Sequence, residues 1–189
     1  MQRYYEAGIP VKYWHLEMDA SFRGDKVLMT KYQEITQDLK VIYAQGLALC
    51  LAGGLGLGKT MTATNVLKRA LEKGYKAIYV NLNDIISFLI SNQEERAAVR
   101  HEFLTTDFLV IDEFDPRYIG SDAAAEMFGR ILEDILRIRL QNTLPIIICT
   151  NSLNPLEAFK GPLKNSLGSL FNYFVQVSVL GKDLRKEKL

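Results

Sequence analysis

Residues 47–52, Leu-Ala-Leu-Cys-Leu-Ala, form an unbroken apolar run, and Gly53, Gly54, Gly56 and Gly58 follow directly before Lys59-Thr60. A run with no polar residue suits a central strand of a parallel sheet, buried on both faces. Gly53, Gly58, Lys59 and Thr60 fill the pattern G-x-x-x-x-G-K-[ST] of a phosphate-binding loop. Glycines let backbone N–H groups turn inward around phosphate oxygens without Cβ clashes. The helix that follows adds its free N–H groups and the positive end of its dipole. The expected nucleotide-binding residues are therefore Gly53, Gly54, Leu55, Gly56, Leu57, Gly58, Lys59, Thr60 and Met61. Lys59 would reach the β- and γ-phosphates, and Thr60 would offer its hydroxyl to Mg²⁺.

A chain of 189 residues suits one α/β domain with a full core. Its net charge of +1 gives no global basic field, so any nucleic-acid contact must be local. Cys50 and Cys149 both lie in apolar runs and read as buried, reduced thiols of a cytoplasmic protein. His15 and His101 have no Cys or His at ligand spacing, which argues against zinc. No apolar run is long enough to cross a membrane, and the N-terminus lacks the apolar core of a signal peptide.

In chain order, residues 1–24 are aromatic-rich, and Gly8 and Pro10 argue against one continuous helix there. They read as a strap packed on the core, or as a cover for an adenine base. Residues 25–44 read as one helix with Val27, Met29, Tyr32, Ile35, Leu39 and Tyr43 on its apolar face. Strands are expected at 47–52, 77–80, 108–113, 146–151 and 175–179, with helices between them, including a long one at 121–141 whose face is Ala124, Met127, Ile131, Ile135 and Ile138. Pro155 and Pro162 mark the starts of two short helices. Residues 1–46 would pack on a core formed by 47–189. Strands alternating with helices predict an α/β three-layer sandwich, with a five-stranded parallel sheet and helices on both faces.

The third strand, Phe108-Leu109-Val110-Ile111, ends in Asp112-Glu113, 53 positions after Lys59. Asp112 is expected to hold Mg²⁺ through its water shell beside Thr60. Glu113 is expected to orient and deprotonate an attacking water. Thr150-Asn151 ends the next apolar strand, and ligands of open parallel sheets bind at the C-terminal ends of strands. Asn151 would contact the γ-phosphate or the lytic water; the alternative is a turn-forming or helix-capping Asn.

The order Gly-Gly-Leu-Gly-Leu-Gly-Lys-Thr, Leu-Val-Ile-Asp-Glu, Ile-Ile-Ile-Cys-Thr-Asn-Ser, then Gly-Lys-Asp-Leu-Arg resembles the AAA+ ATPases of the DnaC/DnaI helicase-loader and IstB-like group. Ala7-Gly8-Ile9-Pro10 with Tyr13-Trp14 is also similar to that group. The resemblance implies a P-loop NTPase fold of the AAA+ type without a separate C-terminal lid domain, ATP and Mg²⁺ as cofactors, and ATP hydrolysis. It puts Asn151 in the sensor-1 role and Arg185 at the sensor-2 place, which with Lys59 and Glu113 completes the expected catalytic set.

The same resemblance implies a replicative DNA helicase as partner, possible single-stranded DNA contact and self-association through the ATP site. Candidate DNA contacts are Arg96, Arg100, Arg117 with Tyr118, Lys160 and Lys164. Two features depart from the group. Only about 45 residues precede the first strand, where loaders carry a further domain. No arginine occurs between Arg139 and Arg185, where the group places an arginine finger, and Lys164 lacks the planar fork to replace one. Two other readings stay open: an IstB-like transposition ATPase on duplex DNA, and a nucleotide-gated binding module with negligible turnover.

Overall fold

The computed structural model describes residues 1–90, 93–115, 121–157 and 159–184. Five strands, β1 (Ala48–Gly53), β2 (Ala77–Asn81), β3 (Phe108–Asp112), β4 (Ile146–Thr150) and β5 (Val175–Val179), form one sheet in the order β2-β3-β4-β1-β5. Every pairing is parallel. Around the sheet lie α1 (Gln2–Glu6), α2 (Lys26–Gln37), α3 (Leu39–Gln45), α4 (Lys59–Glu72), α5 (Leu82–Ile90), α6 (Gln93–Thr105), α7 (Asp122–Gln141) and α8 (Gly161–Phe171).

Strand residues alternate between two cores, because successive side chains leave a strand on opposite faces. Leu49, Leu51, Phe108, Val110, Ile147, Cys149, Val177 and Val179 join α2, α4 and the N-terminal strap. Cys50, Ala52, Leu109, Ile111, Ile146 and Ile148 join α6, α7 and α8. All of β1, β3 and β4 is buried, as apolar runs of that kind require. Cys50 and Cys149 are free and buried on opposite faces, and burial pushes the Cys50 thiol up to about 12. Among the described residues, β5 is the last strand and no helix is long and apolar enough to cross a membrane.

The strap is a short helix, Gln2–Glu6, and a 3-10 turn at Val11–Tyr13, with Tyr4, Tyr13, Trp14 and Phe22 packed on the first core. Two polar residues of α4 hold it. Lys68 is buried, and its Nζ donates to the Leu16 carbonyl at 2.6 Å and to Glu17 at 2.8 Å. Asn65 donates to the Leu16 carbonyl and accepts from the Met18 N–H.

Three local expectations are corrected. The helix expected over 25–44 is two helices, because Asp38 leaves helical geometry (φ −141°) and caps α3 by accepting from the Val41 N–H. The buried stripe of α7 is Ala125, Phe128, Leu132, Ile135, Leu136 and Arg139, while Met127 is 48% exposed. Residues 151–157, around Pro155, form bends and turns and no helix. There Asn151 and Ser152 leave the strand, and the Thr150 and Ser152 hydroxyls accept from Ser152 and Asn154 N–H groups.

Candidate functional site

The strand order brings the C-terminal ends of β1, β4, β3 and β2 side by side. Neighbouring strands are about 4.8 Å apart and rise about 3.3 Å per residue, and the registers set Gly53 two residues farther along than Asp112, so the two stand roughly 12 Å apart across β4. At Gly53 the chain turns with φ +155°, and a Cβ there would lie 2.3 Å from the Val179 carbonyl oxygen of β5. Only glycine fits this close approach. Gly54 to Gly58 then wrap to α4, which starts at Lys59.

Lys59 is buried, and its ammonium folds back into the loop. Nζ donates to the carbonyls of Gly53 (2.8 Å) and Gly54 (2.6 Å) and to Oδ1 of Asn151 (3.1 Å). These three acceptors are neutral, and an ammonium can exchange such contacts for an anion at a gain, since a bond between two ionised groups is stronger than one to a neutral oxygen. Thr60 follows in the first turn of α4, partly exposed.

Asp112 and Glu113 diverge sharply. Asp112 ends β3 and is buried, with Oδ1 accepting from the Glu113 N–H at 2.8 Å. Glu113 has φ +52°, a left-handed conformation uncommon for a side-chain-bearing residue. The turn leaves Glu113 exposed and returns Phe114 to the core, where its N–H donates to the Cys149 carbonyl. Strain of this kind concentrates at functional sites. The second Asp112 oxygen has a partner the sequence did not reveal: Tyr79 of β2 donates its hydroxyl to Oδ2 at 2.7 Å. Sequence pattern shows Tyr79 on a strand, but only the β2–β3 pairing makes it a neighbour of Asp112.

The donor set suits a magnesium–nucleotide complex. Thr60 and Asp112 offer oxygen ligands, and Mg²⁺ is commonly held by one or two protein oxygens with phosphates and waters completing the octahedron. Among the described residues no group of three His, Cys, Asp or Glu could hold a metal by itself.

Beside the glycine-rich loop opens a cavity of about 450 Å³ lined by Arg23, Gly24, Leu57, Leu180, Lys182 and Leu184. Its walls are tied together: the Leu184 N–H donates to the Gly56 carbonyl, and Leu180 N–H donates to Asp25. Phe22 lies over the start of α4, where a Cβ on Gly58 would come within 3.1 Å of its ring. A larger cavity, about 620 Å³, lies between α7 and α8 and is lined by none of Gly53–Met61, Asp112, Glu113 or Asn151.

The remaining expected residues are dispersed. Arg96 and Arg100 are on α6, and Arg100 pairs with Asp134 of α7 at 2.6 Å. Lys160 pairs with Asp122 at 2.9 Å, and Lys164 is exposed on α8. These cations flank α7 on two sides and do not make one stripe. Arg117, Tyr118 and Arg185 lie outside the described residues.

The sequence model of the IstB-like ATP binding protein family matches residues 19–159. No curated protein matches the chain. Among solved structures, the DnaC helicase loader superposes with a TM-score of 0.71 at 19% identity, covering 90% of this chain and 100% of that one. DnaI superposes with a TM-score of 0.72 at 12% identity, covering 90% and 94%. The replication initiator DnaA, bound to AMPPCP and single-stranded DNA, gives 0.71 at 19% identity over 92% of this chain and 51% of its own. This chain therefore spans about half the length of that initiator. At these identities the likeness is one of fold: an α/β sandwich of the AAA+ P-loop type.

Proposed function

The chain belongs to the IstB-like ATP-binding family, and from this premise we propose that it binds Mg²⁺·ATP across the ends of β1, β4 and β3 and hydrolyses it. The observation that carries the reading is the position of Lys59. Its ammonium sits between the carbonyls of Gly53 and Gly54 and Asn151, at the edge where β3 ends at Asp112 and Glu113 follows. The triphosphate would take over the Lys59 ammonium and the N–H groups of Gly54 to Met61. The base would enter the cavity between Leu57 and Leu180.

Thr60 and Asp112 would hold Mg²⁺, whose charge offsets that gathering on the β- and γ-phosphates. The exposed Glu113 carboxylate would orient the attacking water and accept its proton. Asn151, released from Lys59, would bond the γ-phosphate or that water, and Arg185 takes the sensor-2 role by resemblance alone. No arginine lies between Arg139 and Arg185, so turnover by the isolated chain should be slow. An arginine finger is worth about 10³–10⁵ in rate in GTPases.

Likeness of fold to the DnaC helicase loader and DnaI favours action on a replicative DNA helicase, with self-association through the ATP site and single-stranded DNA contact as further parts of that reading. The family match favours a second reading, an ATPase that assembles on duplex DNA in transposition. Lys59→Ala tests the site: binding of a fluorescent ATP analogue should be lost, and unchanged affinity would sink the assignment. Capture of the host's replicative helicase, set against ATP-dependent assembly on duplex DNA, separates the two pathways.

A further inference from the structure

Tyr79 and Asp112 come from different strands and meet because of register. In the β2–β3 pairing Tyr79 is opposite Val110, and Asn81 is opposite Asp112. Tyr79 and Asp112 are thus diagonal neighbours on the sheet face that carries α4, within reach of a long side chain. The phenol donates to Oδ2 at 2.7 Å while the Glu113 N–H donates to Oδ1 at 2.8 Å. Two donors on two oxygens fix the carboxylate plane and leave one lone-pair direction on each oxygen for another ligand. The carboxylate oxygen accepts, so the phenol hydroxyl is the donor in this bond.

Tyr79 is itself held from outside the sheet. Its N–H donates to the Ala7 carbonyl at 2.7 Å. Gly8, at φ +72°, approaches so closely that a Cβ would lie 2.6 Å from the Tyr79 carbonyl oxygen. The strap therefore closes the free edge of β2 at the residue that reaches Asp112.

We infer that Tyr79 is a positioning residue for metal binding: its hydroxyl, fixed by the strap at Ala7, holds Asp112 in the orientation that receives nucleotide-bound Mg²⁺. The inference rests on the proposed Mg²⁺·ATP site. It matters here because no trio of metal-ligating side chains exists among the described residues, so orientation of a single carboxylate decides much of the protein's share of the binding. Partners that orient a ligand in this way typically contribute 10–100-fold to metal affinity.

Tyr79→Phe removes the hydroxyl and keeps the ring. Binding of a fluorescent ATP analogue is measured while Mg²⁺ is titrated, with no turnover needed. The Mg²⁺ midpoint should rise about tenfold or more, while analogue affinity in EDTA stays as in wild type. In an Asp112→Asn background the same substitution should change the midpoint less than twofold. An unchanged midpoint in Tyr79→Phe overturns the inference and leaves the nucleotide site standing. So does a Tyr79→Phe protein whose thermal unfolding shows the fold is lost, since the hydroxyl is then structural. If wild type binds no nucleotide at any Mg²⁺ concentration, the site assignment falls and the inference with it.

Discussion

Replacing Arg139 with methionine should destabilise the protein by about 3–5 kcal/mol, because it strands buried backbone acceptors. Arg139 is fully buried on α7. Its Nη1 donates to the carbonyls of Phe103 (2.7 Å) and Thr106 (3.0 Å), and its Nη2 to those of Asp107 (3.2 Å) and Pro145 (2.6 Å). These carbonyls belong to the segments that enter β3 and β4, so one guanidinium joins the N-terminal ends of two central strands to a helix. Burial lowers its pKa only to about 10, so the cation persists at neutral pH. Methionine would fill most of the volume and leave the Phe103, Thr106 and Asp107 carbonyls without this donor, while Pro145 keeps the Leu109 N–H. Each orphaned buried group costs about 1–3 kcal/mol, and water reaching the half-buried Asp107 carbonyl brings the sum down to the stated range. Domains have about 5–15 kcal/mol in all, and at this size the melting temperature should fall on the order of 10 °C. Urea unfolding followed by far-UV circular dichroism measures the loss as a lower midpoint at constant slope. Arg139→Lys, with a compact ammonium in place of the planar fork, should also lose about 2 kcal/mol or more. A loss below about 1 kcal/mol in Arg139→Met would refute the reasoning. Nucleotide binding by the folded protein should not change, because Arg139 lies at the opposite end of the sheet from Lys59.

The same logic applies at two other positions. Glu113→Gly should be more stable than Glu113→Ala by about 1 kcal/mol in urea unfolding, because φ +52° strains any residue with a Cβ, and both should lose ATP hydrolysis; equal stabilities would show the turn is unstrained. Lys68→Met removes the donor that gathers Leu16 and Glu17, and should free residues 1–24 for limited proteolysis at a cost of about 2–4 kcal/mol; an equally protected strap would refute that anchor.

Much of the architecture was legible because burial leaves a simple signature. Strands buried on both faces read as apolar runs, and all five expected strands form within a residue or two of their expected ends. The turn at Gly53 was legible because its close approach to Val179 excludes a Cβ. The single helix expected over 25–44 failed because Asp38 is as ready to cap a helix as to continue one, and periodicity does not distinguish the two. The α7 stripe was misplaced for a related reason. Arg139 was not among the residues expected on the buried face, although four carbonyls accept its donors in the interior. Charge marks a residue as exposed only while no partner waits inside.

From residue types alone came the loop that turns at Gly53, the buried strand that ends in Asp112, and the alternation of strands and helices that makes an α/β sandwich. Those follow from local geometry and from burial, which act on neighbours in sequence. Strand order and register belong to the tertiary structure. They put Asn151 on Lys59 across 92 positions and Tyr79 on Asp112 across 33. They also seat Ala7 against β2. Parallel pairing is specified by packing of both sheet faces at once, so no segment carries it by itself.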